Sequence, residues 1–310
     1  MSTLFIIGNG FDIAHGIPTK YSDFREFILG MYPNAEKNSK KIVSLEYLNR
    51  KSPEEIAAEF LICAMDVACG KTWADFEDAL SRIHFFDKWP KSHHEDDEDA
   101  DREQATNHLL KMMVMNDKVI QSIMQWQVFL SKWIRNVENR IDAGFYNTKE
   151  SIKKEIAKNE SVFITFNYTK TLQVLYDIKK VIHIHNRVGQ KLIFGHGEDE
   201  VSYQEPEFNG SFGSSFLDDM LMSLKKDTFS QLRKYSDEFN KLHMVDKVYS
   251  YGFSFSKVDS VYIKRIIQNI SPNTTWFFTK FESEDTSQIR IKKLKLRRYG
   301  FKGSFDVYDG

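Results

Sequence analysis

The chain has 310 residues, 41% hydrophobic and 28% charged, with a formal net charge of −1. That length supports one large core or two modest ones, and the near-neutral balance excludes a global field that would draw the protein onto nucleic acid or a membrane surface. Two cysteines, Cys63 and Cys69, with no second pair, exclude a disulfide framework and a cysteine zinc site.

The two thiols read as buried groups in a reducing compartment. The N-terminal run Leu4–Ile7 is too short for a signal peptide, and no stretch approaches the ~20 apolar residues of a membrane span. A cytoplasmic protein is expected.

The first element is Leu4-Phe5-Ile6-Ile7, running into Gly8-Asn9-Gly10. An unbroken apolar run has no solvent face, which predicts a strand buried on both sides of a parallel sheet. The two glycines can take positive φ and carry no Cβ, so a ligand can approach the backbone closely. Amides entering a helix N-terminus suit a phosphate. Ile13 stands where the dinucleotide fingerprint has glycine, so the turn alone is a weak nucleotide signal and a ligand-free turn accounts for it equally well.

Helical patterning then dominates. Aromatic spacing predicts a helix over 21–28, with Thr19 or Ser22 as cap. Pro53-Glu54-Glu55-Ile56 opens another, carrying Ile56, Phe60, Cys63 and Val67 on one face. A short amphipathic helix over 72–80 turns Trp73 and Leu80 to a core and Glu77 to solvent. The acidic stretch from His93 to Asp101 reads as a solvated loop held open by self-repulsion. From about 103 to 143, apolar residues three or four apart predict one long helix or two. Residues 21–143 are thus expected to form a helical layer inserted after the first strand, inside a single domain spanning 1–310.

The sheet resumes with strands over Ser161–Phe166, Val181–His185 and a fourth strand or strand edge over 191–197. A loop over 198–216 leads to a helix near 216–243, then a strand over Lys247–Tyr251. A helix starts near Val258 or Asp259, where the Asp259 charge suits the helix dipole. Trp276–Thr279 is expected to be the last core strand, and the basic run 290–298 a helix or an edge strand. Strands alternating with helices predict an α/β fold, a Rossmann-like doubly wound, mostly parallel sheet with a large helical insertion.

In that architecture ligands bind outside the carboxyl ends of strands. Gly8-Asn9-Gly10, Asn167, His183 with His185, and Gly252-Phe253-Ser254 all fall there. Polar groups gathered on one edge of an apolar sheet are costly to bury unless they bind something. His196, between two glycines, is a second candidate base beside His185.

These residues also carry a resemblance. Gly8 to Pro18 resembles the glycine-rich signature of the sirtuins, Thr165-Phe166-Asn167 their Thr-Gln-Asn, Ile184-His185-Asn186 their His-Gly, and Gly252-Phe253-Ser254 their Gly-Thr-Ser, in the same order along the chain. Asp12 replaces the sirtuin serine, Thr169 the aspartate and Asn186 the glycine, and the four-cysteine zinc module is missing, which argues against protein deacylation. More closely, the run Ile6 to Phe24, the Trp73-to-Glu77 segment, Phe166-Asn167-Tyr168-Thr169 and Phe194-Gly195-His196-Gly197 resemble the AbiH family of phage abortive-infection proteins.

That resemblance implies a role in antiviral defence and a nucleotide site, with NAD as ligand or substrate; no residue is singled out as a metal ligand. The implied binding set is Gly8, Asn9, Gly10, Phe11, Asp12, Gly16, Pro18, His196, Gly252 and Ser254. Cleavage of a nicotinamide glycosidic bond needs a group to orient ribose and water and a base to take a proton. Asn167 is expected in the first role and His185 in the second, with Gly8, Asn9 and Gly10 around phosphates, Ser254 assisting, and Asp12 at ribose hydroxyls or a metal. A non-catalytic nucleotide sensor and a nucleic-acid-targeting effector are the alternatives. A phage-derived trigger and a homo-oligomer are compatible with all three.

Overall fold

In a computed structural model, residues 2–38, 45–82, 102–157, 161–197 and 222–310 are described. The chain divides into two compact units, one of residues 1–20, 133–197 and 226–310, the other of 21–132 and 198–225. The division falls inside one long helix, Arg102–Asp142. The expected acidic loop over 93–101, the loop over 198–216 and the start of the helix near 216 lie outside the described residues.

The first unit holds a six-stranded sheet: β1 Ser2–Ile7, β2 Ser161–Thr165, β3 Val181–His183, β4 Val245–Tyr251, β5 Thr275–Thr279 and β6 Ser304–Tyr308. Their spatial order is β3-β2-β1-β4-β5-β6, and every adjacent pair is parallel. This is the doubly wound order, with its switch point between β1 and β4. β1 behaves as its unbroken apolar run requires. Leu4 and Ile6 join one core, with Val248, Trp276, Phe278 and helix residues Tyr262, Ile263 and Ile266. Phe5 and Ile7 join a second core on the opposite face, with Phe163, Tyr249, Ile152 and Leu172.

Several expected boundaries move. β3 ends at His183, which leaves His185 in a turn beyond the strand. Residues 191–197 are irregular, because Gly195 takes φ 145° and His196 pairs only in an isolated bridge. The helix expected near 216–243 is interrupted in its described part: residues 222–223 are helical, 224–227 are not, and Thr228–Lys234, Ser236–Asn240 and Lys241–Met244 follow as short helices, the first two separated at Tyr235. Trp276–Thr279 is not the last strand. Helix Thr286–Arg298 carries the basic run, and β6 follows it at the sheet edge.

The second unit is helical where described. Tyr21–Met31 and Pro53–Cys69 are its main helices beside the long one. Ser52 and Glu55 form a reciprocal capping box at Pro53–Cys69, which satisfies two backbone donors at the helix start. Cys63 and Cys69 are not joined in a disulfide and are half-buried rather than buried. Arg25 is held by Asp66 through two bonds of 2.8 Å, and Trp73 Nε1 donates to the same carboxylate at 2.8 Å. Trp73 is fully buried, as its spacing predicts, but in a turn at φ 50° rather than in a helix. Among the described residues no helix is long and apolar enough to cross a membrane.

Candidate functional site

The carboxyl ends of β1, β2, β3 and β4 gather most of the predicted residues. At the switch point Gly8 and Gly10 pack against Gly252. A Cβ on Gly8 would come within 2.5 Å of the Gly252 carbonyl, and one on Gly252 within 2.4 Å of Gly10. Of the three only Gly252 takes a positive φ, 60°. The glycines therefore serve a close approach of two loops. Their amides serve it too: Gly8 N donates to Tyr251 O and Gly10 N to Gly252 O, both at 2.9 Å, and Phe11 N to Gly8 O at 3.0 Å. As arranged, these three amides are already engaged and do not point at a phosphate.

The remainder of the glycine motif is a helix stop. Helix Asn9–Ala14 ends with Gly16 N on Ile13 O and Ile17 N on Asp12 O, with Gly16 at φ 73° and Ile17 buried. This is the paired bonding of a Schellman cap, after which proline is common, and it accounts for Gly16 and Pro18. Asn9 is exposed and ties the turn to Thr19 O at 2.7 Å. Phe11 is buried against His15 and Tyr251.

Two buried polar groups lie beyond this turn. In the first, Asp12 is fully buried and accepts from Thr169 Oγ1 at 2.5 Å, while Thr171 Oγ1 donates to Thr169 at 3.1 Å. Burial pushes the Asp12 carboxyl up to about 6, against hydrogen bonds from Thr169, Thr171 and Asn167 that pull it down. Asn167 follows the end of β2. Its backbone carbonyl accepts from His183 Nδ1 at 3.2 Å, and His183 Nε2 accepts from Gln173 Nε2 at 2.7 Å. Burial lowers the His183 pKa to about 4, so that ring is neutral at neutral pH and the two bonds fix its tautomer. Three acceptors of this group, Asp12 Oδ1, Asn167 Oδ1 and Gln173 Oε1, are among the buried side-chain atoms that have no partner in the described residues.

In the second group, His185 donates from Nδ1 to Phe166 O at 3.0 Å and places Nε2 2.9 Å from Asp259 Oδ1. Lys226 Nζ, its side chain fully buried, is 3.2 Å from the same nitrogen and 3.3 Å from the same oxygen. Ser256 donates to Asp259 Oδ2 at 3.3 Å. Asp259 stands at the N-cap position of helix Ser260–Asn269 but makes no side-chain cap bond, so its charge answers Lys226 and His185 rather than the helix dipole alone. Burial alone would raise the Asp259 carboxyl, and the Lys226 and His185 charges instead hold it well below the usual range.

The outlying predictions have their own places. His196 is fully buried, and its carbonyl accepts from Lys226 N at 2.8 Å. Ser254 is exposed on the β4 loop. Sequence reasoning missed Lys226, which sits in an ordinary polar stretch, and gave Thr169 and Gln173 no role. A Thr-x-Thr pair beginning two residues past Asn167 was the available signal.

Comparison with known proteins decides the family. Residues 4–280 match the family described as Bacteriophage abortive infection AbiH. The chain belongs to that family. The AbiH assignment spans β1 through β5 and both compact units, and it places the protein in antiphage abortive infection. No curated protein and no solved structure gave a significant match.

Proposed function

We propose that this AbiH protein binds a ribose-bearing nucleotide at the ends of β1, β2 and β3 and hydrolyses its N-glycosidic bond, with NAD as the first substrate to test. The observation that carries the reading is the pair of buried, unpartnered acceptors, Asp12 Oδ1 and Asn167 Oδ1. A buried polar atom without a partner costs roughly 1–3 kcal/mol, a cost that a ligand with adjacent hydroxyl donors removes. Ribose offers such a pair. A phosphate, which only accepts, suits neither atom, so the diphosphate of NAD has to lie away from Asp12.

The proton-taking role fits Asp12 better than His185. Both nitrogens of His185 are engaged, whereas the Asp12 carboxyl, near 6, is ionised at neutral pH and basic enough to accept a proton from water or a ribose hydroxyl. Asn167 then orients the sugar, and His183 with Gln173 fixes the backbone that carries it. The test follows nicotinamide and ADP-ribose after mixing the purified protein with NAD, beside Asp12→Asn and Asn167→Ala. Release by the parent and loss of roughly 10²–10⁴-fold in Asp12→Asn is expected. Equal turnover in that variant would overturn the role of Asp12. NAD that neither binds nor turns over would remove NAD from the reading.

A further inference from the structure

The segment after β2 anchors a second buried carboxylate beside Asp12. Thr169 donates to Asp12 Oδ2 at 2.5 Å, and the next residue, Lys170, is gripped by the end of the long helix Arg102–Asp142. Its backbone N–H donates to the Glu138 carboxylate, and its Nζ pairs with Asp142 Oδ2 at 2.8 Å. Both acids lie in the part of that helix that belongs to the sheet-bearing unit. Glu138 is only 6% exposed, and its Oε1 has no partner among the described residues. Holding Lys170 accounts for one carboxylate oxygen and leaves the other unused. Consecutive residues thus tie down two buried carboxyl groups, each with a spare oxygen, and bond and hydrogen-bond dimensions keep the two groups within about 10 Å of each other. Burial raises the Glu138 carboxyl and the Asp142 charge adds to it, while the Lys170 and Arg187 charges and the Lys170 N–H offset only part of the rise.

We propose that Glu138 is the general acid of the glycosidic cleavage, and that the substrate class is a nucleotide with a neutral purine base, of which AMP is the simplest. The inference deepens the reading of the Asp12 site and rests on it. Glycoside cleavage commonly sets two carboxyl groups about the scissile bond, one giving a proton to the leaving group and one taking a proton from water, roughly 6.5–9.5 Å apart where a water stands between them. Nicotinamide leaves NAD as a neutral molecule, so an acid adds little there. A purine leaves as an anion unless one of its free ring nitrogens is protonated, and a carboxyl with an unused oxygen can supply that proton. In the step, the water oxygen bonds to C1′ and the C1′–N9 bond breaks, its electron pair passing to the base. Glu138 gives its proton to a ring nitrogen of the base, and Asp12 takes one from the water. Adenine and ribose 5-phosphate result, and exchange with solvent resets both carboxyls, so water is the sole co-reactant.

The test gives the full chain AMP and, separately, NAD, and follows adenine and nicotinamide release beside Glu138→Gln and Glu138→Asp, each with an unchanged circular-dichroism spectrum. Glutamine still accepts from Lys170 N–H but has no proton to give, so a role confined to holding the loop would not separate the two substrates. Adenine release should fall about 100-fold or more in Glu138→Gln, with a loss at least about tenfold smaller for nicotinamide release, and Glu138→Asp should retain more adenine release than Glu138→Gln. Equal losses on both substrates, unmoved adenine release in Glu138→Gln, or an aspartate variant no better than the glutamine one overturns the role of Glu138 and leaves the glycosidic reading standing. Turnover of NAD without AMP overturns the substrate class in the same way. Turnover of neither overturns the glycosidic reading, and this inference with it.

Discussion

Asp12 and Asp259 are both buried carboxylates at the ends of strands of one sheet, yet their surroundings are opposite. Asp259 is closed: one oxygen takes His185 and Lys226, the other Ser256. Asp12 is open: one oxygen takes Thr169, and the other has no partner among the described residues. Cations hold Asp259 down, while burial without a cation holds Asp12 up near 6. A closed, charge-balanced group holds parts of a fold together. It pins the loop after β3, through His185, to the loop after β4, and holds Lys226 to both. A carboxylate kept open, against the cost of burial, is the better place to look for a ligand.

The largest effect should come from breaking the closed group. Asp259→Asn leaves the buried Lys226 ammonium without its anion, and removing one partner of a buried pair costs about 3–5 kcal/mol. Denaturant unfolding should show that loss at pH 7, and a loss below 1 kcal/mol would mean that Lys226 finds another anion. Asp12→Asn should act in the opposite direction. Asp12 is raised, so the cost of ionising it is absent below about pH 4 and complete above about pH 6. Raising this carboxyl from its ordinary value to about 6 corresponds to roughly 3 kcal/mol, so the asparagine variant should be more stable than the parent at pH 8 by up to that amount and equal to it at pH 4.

The same variant should expose His183. Its pKa is lowered to about 4, so its stabilising contribution is complete above about pH 6.5 and falls as pH drops toward 4. In the parent the two groups offset each other, because acid relieves Asp12 as it burdens His183. With Asp12 replaced, their part of the stability curve should fall by roughly 3 kcal/mol between pH 6.5 and 4. A curve that stays as flat as the parent's would show that His183 titrates elsewhere.

The sheet was largely legible because burial on both faces writes itself into composition: Leu4–Ile7 has no polar residue to place in water. The gathering of Asn167, His183 and His185 at strand ends was legible for the same reason, since apolar runs end where polar residues begin. Less local facts were not. Gly8 and Gly10 signal a close approach, but the approaching group is Gly252, more than 200 residues away. Ser304–Tyr308 mixes Asp306 and Ser304 with apolar residues, as an edge strand can, and so does not resemble the core strands. Lys226 offers no pattern, because a single buried lysine is defined by Asp259 and His185, distant in sequence and adjacent only in the fold. Gly16 and Pro18 were read as ligand residues although their spacing is also that of a helix stop.

Thr169→Val gives the smallest and sharpest test of the contrast. Valine keeps the shape of threonine and removes only the hydroxyl that donates to Asp12 Oδ2 and accepts from Thr171. Loss of a donor to a charged, buried acceptor costs about 1.5–3 kcal/mol when the carboxylate is ionised, and less when it is protonated and can itself donate, for example to Thr171. The deficit should therefore be near its full size at pH 8 and shrink toward about 1 kcal/mol or less at pH 4. The apparent Asp12 pKa should rise above its parent value, because a bond that favours the charged form has gone. A deficit independent of pH would mean that Thr169 matters for packing alone, and that the open carboxylate is tuned by Asn167 rather than by its threonine neighbours.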